Sequence, residues 1–393
     1  MSNPETADAQ TKELSVGDFK LDGPLGSQGT TIEPVGPNHF KATLGHAPEH
    51  PEWCNKIQFQ ITGNAKGNAL RLDVVFEGGG SMRLNEYSCS WSYDAENWRP
   101  IHWEDGTKEA GTADTLVFPE FTEDVVYLGH QVPMSYEDMV ELIGRWRKSP
   151  CVKVHTLGRS LGGRNLYRIE ITDPDSPHAR DVRWVHHFAN QHPGEHNSQW
   201  RMAGMIDWLL SNEGEDFRKR SICHFIIMMS PDAPSNGWYR VNAQGVDMNR
   251  SYFANGSDAD KQAHEACICQ KDLEDLMASS APVTDVWSMH TWGGTVEPII
   301  TPGPEIGAAV GPWEELRDII EANDPRNLVR PMHLRGADKL GGVTWTAGPH
   351  TQFDITAVLC EGAGAIYTKE ENLASGVVLI QSIGEYYKGT RAK

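Results

Sequence analysis

Two rhythms of apolar residues divide this chain. From Asp18 to about residue 130, short runs at 56–61, 69–76, 87–93 and 124–128 alternate apolar and polar side chains, and segments rich in Gly, Asn and Asp part them. Period-two alternation with frequent turns predicts an all-β sandwich over residues 16–132. The rhythm changes at Pro133. Ser135 and Asp138 form a capping box, and Met139, Leu142, Ile143 and Trp146 share one face of a helix running to about Arg147, with Pro150 beyond its end. Strand-like runs (166–171, 182–188, 224–229, 283–289, 357–360) then alternate with helical ones (198–210, 260–277, 313–322, 372–387). This alternation predicts an α/β domain over residues 133–393, its sheet covered by helices on both faces. Residues 1–15 are polar and are expected to be disordered. No internal repeat or low-complexity tract interrupts the pattern.

Composition narrows the possibilities. A chain of 393 residues with 39% hydrophobic content is globular and long enough for two or three domains. No apolar run approaches the roughly 20 residues needed to cross a bilayer. The first twelve residues lack the basic and apolar regions of an export signal, so no membrane association is expected. A net charge of −19 repels phosphate backbones, which argues against nucleic acid as a partner. Cys54, Cys89, Cys151, Cys223, Cys267, Cys269 and Cys360 are odd in number and scattered, as in a reducing compartment, so the cytoplasm is the expected location. Cys267 and Cys269 are too closely spaced for the usual zinc pair.

Candidate chemistry begins at His192-Pro193-Gly194-Glu195, which follows an apolar run and precedes a helical one. Imidazole and carboxylate suit Zn²⁺, and a catalytic zinc takes three protein ligands and leaves a position open for water. Ligands of open α/β sheets gather beyond the carboxyl ends of strands, where this turn falls. A third ligand is expected at another strand end, and His290, closing the run 285–290, supplies it. His186 and His187 compete, but both lie inside a strand and are expected to pack or hydrogen-bond there.

Farther along stand Ser230-Pro231-Asp232, Tyr239-Arg240, Gly245-Val246-Asp247-Met248-Asn249-Arg250 and Cys360-Glu361-Gly362. Taken in order with His192-Pro193-Gly194-Glu195 and His290, these resemble the zinc carboxypeptidase (funnelin) family, above all its cytosolic carboxypeptidase branch. Residues 126–136 and 157–164 resemble that branch's interdomain segment and early hairpin. The resemblance implies an α/β/α catalytic domain with a mixed sheet, one Zn²⁺ per chain on His192, Glu195 and His290, and Asp247 hydrogen-bonded to a ligand imidazole. It implies Glu361 as general base and Arg240 as the group facing the oxyanion. Asn249 and Arg250 would hold the terminal carboxylate of a peptide or protein substrate, which defines an exopeptidase. A zinc amidohydrolase of N-acyl amino acids and a zinc-binding module without activity remain alternatives.

The chain departs from the family in two places. No tyrosine stands between Tyr252 and Tyr367, where the family carries one on a mobile loop; Trp345 or His350 could occupy that space, but neither reproduces the phenol and the role is left unassigned. Gly342 and Thr346 stand where the glutamate-removing enzymes of the branch carry arginines, leaving Arg330, Arg335 and Lys339 as the basic groups nearby.

Overall fold

The computed structural model describes residues 12–78, 88–101, 113–253, 259–291, 299–302, 310–329, 343–362 and 368–391. The first third is all strand: β1 (Phe19–Lys20), β2 (Thr31–Gly36), β3 (His39–Thr43), β4 (His46–Ala47), β5 (His50–Cys54), β6 (Phe59–Ile61), β7 (Leu70–Val75), β8 (Cys89–Ser92), β9 (Arg99–Ile101), β10 (Ala113–Phe118) and β11 (Val126–His130). One sheet runs β1-β6-β11-β8-β9, a second β10-β7-β3-β2, and β4 pairs with β5 in a small ribbon. In β7 Leu70, Leu72 and Val74 are buried while the residues between them are half-buried, as alternation predicts. Phe40, Phe59, Ile61, Leu72, Val74, Phe118 and Leu128 bring both sheets into one apolar cluster.

Two details differ from the expected pattern. The polar leader ends earlier than residue 15, because Leu14 is buried and its N–H donates to Asn38 Oδ1 at 2.8 Å. Lys56, Ile57 and Gln58 read as strand but precede β6, and the Lys56 N–H goes instead to Gly237 O at 2.8 Å, far along the chain.

The remainder comprises α1 (Tyr136–Trp146), β12 (Val152–Arg159), β13 (Asn165–Ile171), β14 (Trp184–Ala189), α2 (His196–Leu210), α3 (Glu215–Arg220), β15 (Ser221–Ile226), α4 (His264–Met277), β16 (Asp285–Thr291), β17 (Ile299–Pro302), α5 (Val310–Asn323), α6 (Ala347–Phe353), β18 (Thr356–Gly362) and α7 (Lys369–Tyr386). Ser135 caps α1 through the expected box with Asp138. Seven described strands form one mixed sheet, ordered β12-β13-β15-β14-β16-β18-β17. The central four are parallel, and antiparallel strands flank them.

Alternation along the central strands builds two cores. Phe188, Phe225, Trp287, Met289 and Val358 pack with α2 and α7 on one face, while Val185, Ile222, Ile226, Val286 and Ala357 meet Ala266, Cys269 and Leu273 of α4 on the other. The expected strand at 224–229 lies three residues earlier. Its pairing with β14 ends at Ile226, and the apolar Met228 and Met229 are buried beyond the ladder. Among the described residues no helix is long and apolar enough to cross a membrane.

The topology fixes where a site can form. The connection after β14 leads to β15 on one side, and the connection after β16 leads to β17 and β18 on the other. Neighbouring strands whose connections diverge leave a crevice at their carboxyl ends.

Candidate active site

That crevice is lined from three strand ends. Beyond β14, the turn at 192–195 closes with Glu195 N–H donating to His192 O at 3.2 Å, and Gly194 N–H donates to Tyr239 O at 2.9 Å. Glycine is required in this turn by space: a Cβ on Gly194 would lie 2.7 Å from Tyr239 Cα. Glu195 occupies the position before α2 but its side chain does not cap the helix. It turns toward His192 Nδ1, 2.7 Å from Oε1, and His290 Nδ1, 2.8 Å from Oε2, while the two imidazole nitrogens stand 3.1 Å apart. All three side chains are buried, with one ligand atom each within 4.8 Å of the others.

The outer nitrogens test whether this cluster fits a metal. A ligating imidazole offers one bare nitrogen inward and donates its other N–H outward. His192 Nε2 lies 3.1 Å from Asp247 Oδ1, and His290 Nε2 lies 2.9 Å from Ser288 Oγ, whose hydroxyl can donate to Gln191 Oε1 at 2.6 Å and so leave a lone pair for the imidazole. Two imidazoles and a carboxylate, with acceptors behind both rings, are a donor set suited to zinc. Burial alone would push the Glu195 carboxyl up, but His192 and His290 outweigh it and hold it well below the ordinary range. It is ready to ligate as the anion.

Asp247 ties this cluster to the next group. Its Oδ2 accepts from Arg240 Nε at 2.6 Å, and its Oδ1 also accepts from the Asn249 N–H at 2.8 Å. Burial raises this carboxyl, yet His192 and Arg240 together keep it far below the usual carboxylate range. Asn249 is clamped as well: its Oδ1 accepts from Trp345 N–H at 3.0 Å, and its amide nitrogen lies 3.2 Å from His290 Nε2. Arg250 donates from Nη1 to Asn249 O at 2.8 Å.

Glu361 comes from β18, in register with His290 of β16. Burial pushes its carboxyl up to about 7, an effect that His290 opposes and Glu195 reinforces. His192, Glu195, Tyr239, Arg240, Asn249, Arg250, His290, Thr291, Leu359 and Glu361 line one cavity of about 200 Å³. Of the eight residues to which the resemblance gives a role, all line this cavity except Asp247, which stands behind it.

Other sequence candidates lie elsewhere. Trp345 is buried, donates from Nε1 to Met248 O at 3.1 Å and packs edge-on against Tyr252, and His350 Nδ1 lies 2.8 Å from Ile355 O. Neither lines the cavity, and the role of the loop tyrosine stays unassigned among the described residues. Thr346 is buried and pairs with Thr344. Arg330, Arg335, Lys339 and Gly342 lie outside the described residues. His186 bonds Asp285 inside the sheet and His187 is buried there, as expected of strand histidines. Cys267 is exposed on α4 and Cys269 faces the core.

Three residues were overlooked. Thr291 donates its N–H to Glu195 Oε2 at 2.9 Å, Ser288 sits behind His290, and the Tyr239 hydroxyl lies 3.2 Å from Glu195 Oε1. Ser288 carried a signal, standing two positions before His290 on the same side of the strand. Tyr239 carried one only as the neighbour of Arg240.

Comparison with known proteins follows the same residues. The family model described as zinc carboxypeptidase matches residues 143–292, which include His192, Glu195 and His290. Over this stretch the chain is similar to the zinc carboxypeptidase family. Among relatives, it is 31% identical over 225 residues to cytosolic carboxypeptidase 2 of Xenopus tropicalis, covering 51% of this chain and 22% of that protein. The human protein of the same name is 34% identical over 146 residues, 35% of this chain and 16% of its own length. The chain thus spans about a fifth or less of these relatives. Two solved structures share the fold: a metallo-carboxypeptidase from Burkholderia cenocepacia (TM-score 0.77, 17% identity, 94% of this chain and 98% of that one) and one from Pseudomonas aeruginosa in complex with (2-guanidinoethylmercapto)succinic acid (0.74, 17%, 93% and 98%). A zinc carboxypeptidase site uses one zinc ion, and His192, Glu195 and His290 are the described group that could hold it.

Proposed function

We infer that the chain is a zinc-dependent metallocarboxypeptidase that hydrolyses the last peptide bond of peptides or proteins. The observation that carries this reading is the shared cavity, in which a buried carboxyl, three metal-ligating side chains and two guanidinium groups converge.

Bound zinc would supply Lewis acidity, making a water acidic near neutral pH and polarising the scissile carbonyl. His192, Glu195 and His290 would hold it. Glu361, made more basic by burial, would accept the attacking water's proton and hand it to the leaving amine. Arg240, fixed at Nε by Asp247, would offer its remaining N–H groups to the negative charge growing on the carbonyl oxygen. Arg250 has the planar fork that matches a carboxylate, and with the Asn249 amide it would bind the substrate's terminal carboxylate, so that only the last peptide bond reaches Glu361. Within this reading, residues 16–132 form an N-terminal β-sandwich domain and 133–393 the catalytic domain. Seven free cysteines agree with a cytoplasmic enzyme.

Glu361→Gln should keep its zinc by metal analysis and lower kcat by about 10³-fold or more. Wild-type protein should cleave peptides with a free C-terminal carboxylate and leave their amidated counterparts intact. Full activity in Glu361→Gln, or equal cleavage of amidated peptides, would overturn the assignment.

A further inference from the structure

The sheets that precede the catalytic domain reach the metal site through one side chain. Lys56 follows β5, is 2% exposed, and places its ammonium 3.9 Å from the centroid of the Tyr239 ring. The hydroxyl of that ring lies 3.2 Å from Glu195 Oε1 and donates to it. Both partners are anchored by their backbones: Lys56 N–H donates to Gly237 O at 2.8 Å, and Tyr239 O accepts from Gly194 N–H at 2.9 Å, inside the ligand turn itself. A cation over the face of a phenol draws electron density from the ring. The hydroxyl then becomes a stronger donor.

The Glu195 carboxylate needs such a donor. Among the described residues, its hydrogen bonds other than those to the two imidazoles come from Thr291 N–H on Oε2 and Tyr239 on Oε1, one for each oxygen. Without Tyr239, Oε1 would keep only the company of His192, and the carboxylate could turn about its last bond. Supporting partners of this kind set the orientation of a ligand and typically govern its metal affinity by 10- to 100-fold.

We propose that Lys56 and Tyr239 are a positioning pair for the ligand Glu195, so that the N-terminal sheets supply part of the zinc site. The pair acts on the metal through the carboxylate. It rests on His192, Glu195 and His290 being the zinc ligands, and the test separates the two.

Metal-free protein is titrated with zinc against a chelator, with circular dichroism and melting to verify the fold. Tyr239→Phe should weaken zinc binding about tenfold or more, and in the cobalt-substituted protein it should shift the visible d–d bands that report the ligand field. Lys56→Met should weaken zinc binding severalfold when Tyr239 is present and add nothing in a Tyr239→Phe background, and Lys56→Arg should restore the wild-type value. A Tyr239→Phe protein with zinc affinity and cobalt spectrum equal to wild type overturns the proposal, as does a Lys56→Met effect undiminished in the double variant. Wild-type protein that fails to bind zinc would instead overturn the ligand assignment. Tyr239→Phe removes one oxygen and decides the first link without the lysine variants.

Discussion

Glu361 is a buried carboxyl whose neutral form the fold favours, and both its chemistry and its cost follow from that. In the role of base that we propose for it, it must be ionised, so activity should rise with pH along an acid limb set by this group. Burial places that limb near 7, and a bound dication would pull it lower, so the limb of kcat/KM for the zinc enzyme should fall at or below neutrality. Its effect on stability has the opposite sense. An acid whose pKa is raised on folding stabilises the fold below its unfolded value and loses that contribution as pH climbs toward 7. In zinc-free protein, Glu361→Gln should therefore be more stable than wild type at pH 8, by about 3 kcal/mol, and the difference should vanish near pH 4. Denaturant unfolding at the two pH values checks this. That His192, Glu195 and His290 converge was legible in the sequence because side chains able to ligate a metal recur there at strand ends. Asp247, Arg240, Asn249, Arg250 and Glu361 became legible through their order along the chain. Tyr239 did not, because what makes it matter is a contact with Lys56, 183 residues earlier in the numbering.

At the level of elements, local signals were reliable where they were energetically local. The Ser135 cap satisfies the N–H of Asp138 within one turn, so three residues suffice to announce α1. Ser135→Ala should cost about 1 kcal/mol in thermal or denaturant melts. Signals failed where burial and backbone pairing part company. Met228 and Met229 are as apolar as strand residues but lie past the end of β15, and β12 is an edge strand of half-buried and exposed residues whose sequence lacks alternation. The ligand turn shows a third kind of limit. Gly194 takes its meaning from Tyr239, 2.7 Å from where its Cβ would be, and backbone atoms cannot swing aside. Gly194→Ala should cost about 1–3 kcal/mol and weaken zinc binding together, which metal titration and melting on one sample will show.

Across the whole molecule, the first third of the chain is laced to the catalytic loops by backbone and side chain. Gly26 N–H donates to Pro234 O, Gln28 N–H to Asn236 O, and Gln58 Nε2 to Pro234 O, at 3.0, 3.0 and 3.1 Å. His50 Nε2 lies 2.9 Å from Gly245 O, two residues before Asp247. Gly237 has φ +75°, and a Cβ there would meet Gly26 O at 2.8 Å, so the two segments touch backbone to backbone. With so many bonds crossing, calorimetry should record one unfolding transition for the full chain rather than two. Zinc at a thousandfold excess over its Kd should raise the stability of the whole by about 4 kcal/mol. The sheet order was not legible from the pattern, because alternation tells which residues face inward but not which strand lies beside which.

The register that sets Glu361 beside His290 also fixes when this site can exist. Its parts are drawn from positions 56, 192–195, 239–250, 290 and 361, and β18 brings the last of them. Contacts so distant in sequence close late and slowly. During synthesis, a ribosome must pass position 361 before the strand bearing Glu361 can dock. Any zinc captured earlier would sit in a half-built bed, without Glu361 beside it. Metal could thus be loaded at His192, Glu195 and His290 ahead of the arrival of the carboxyl we propose as the base.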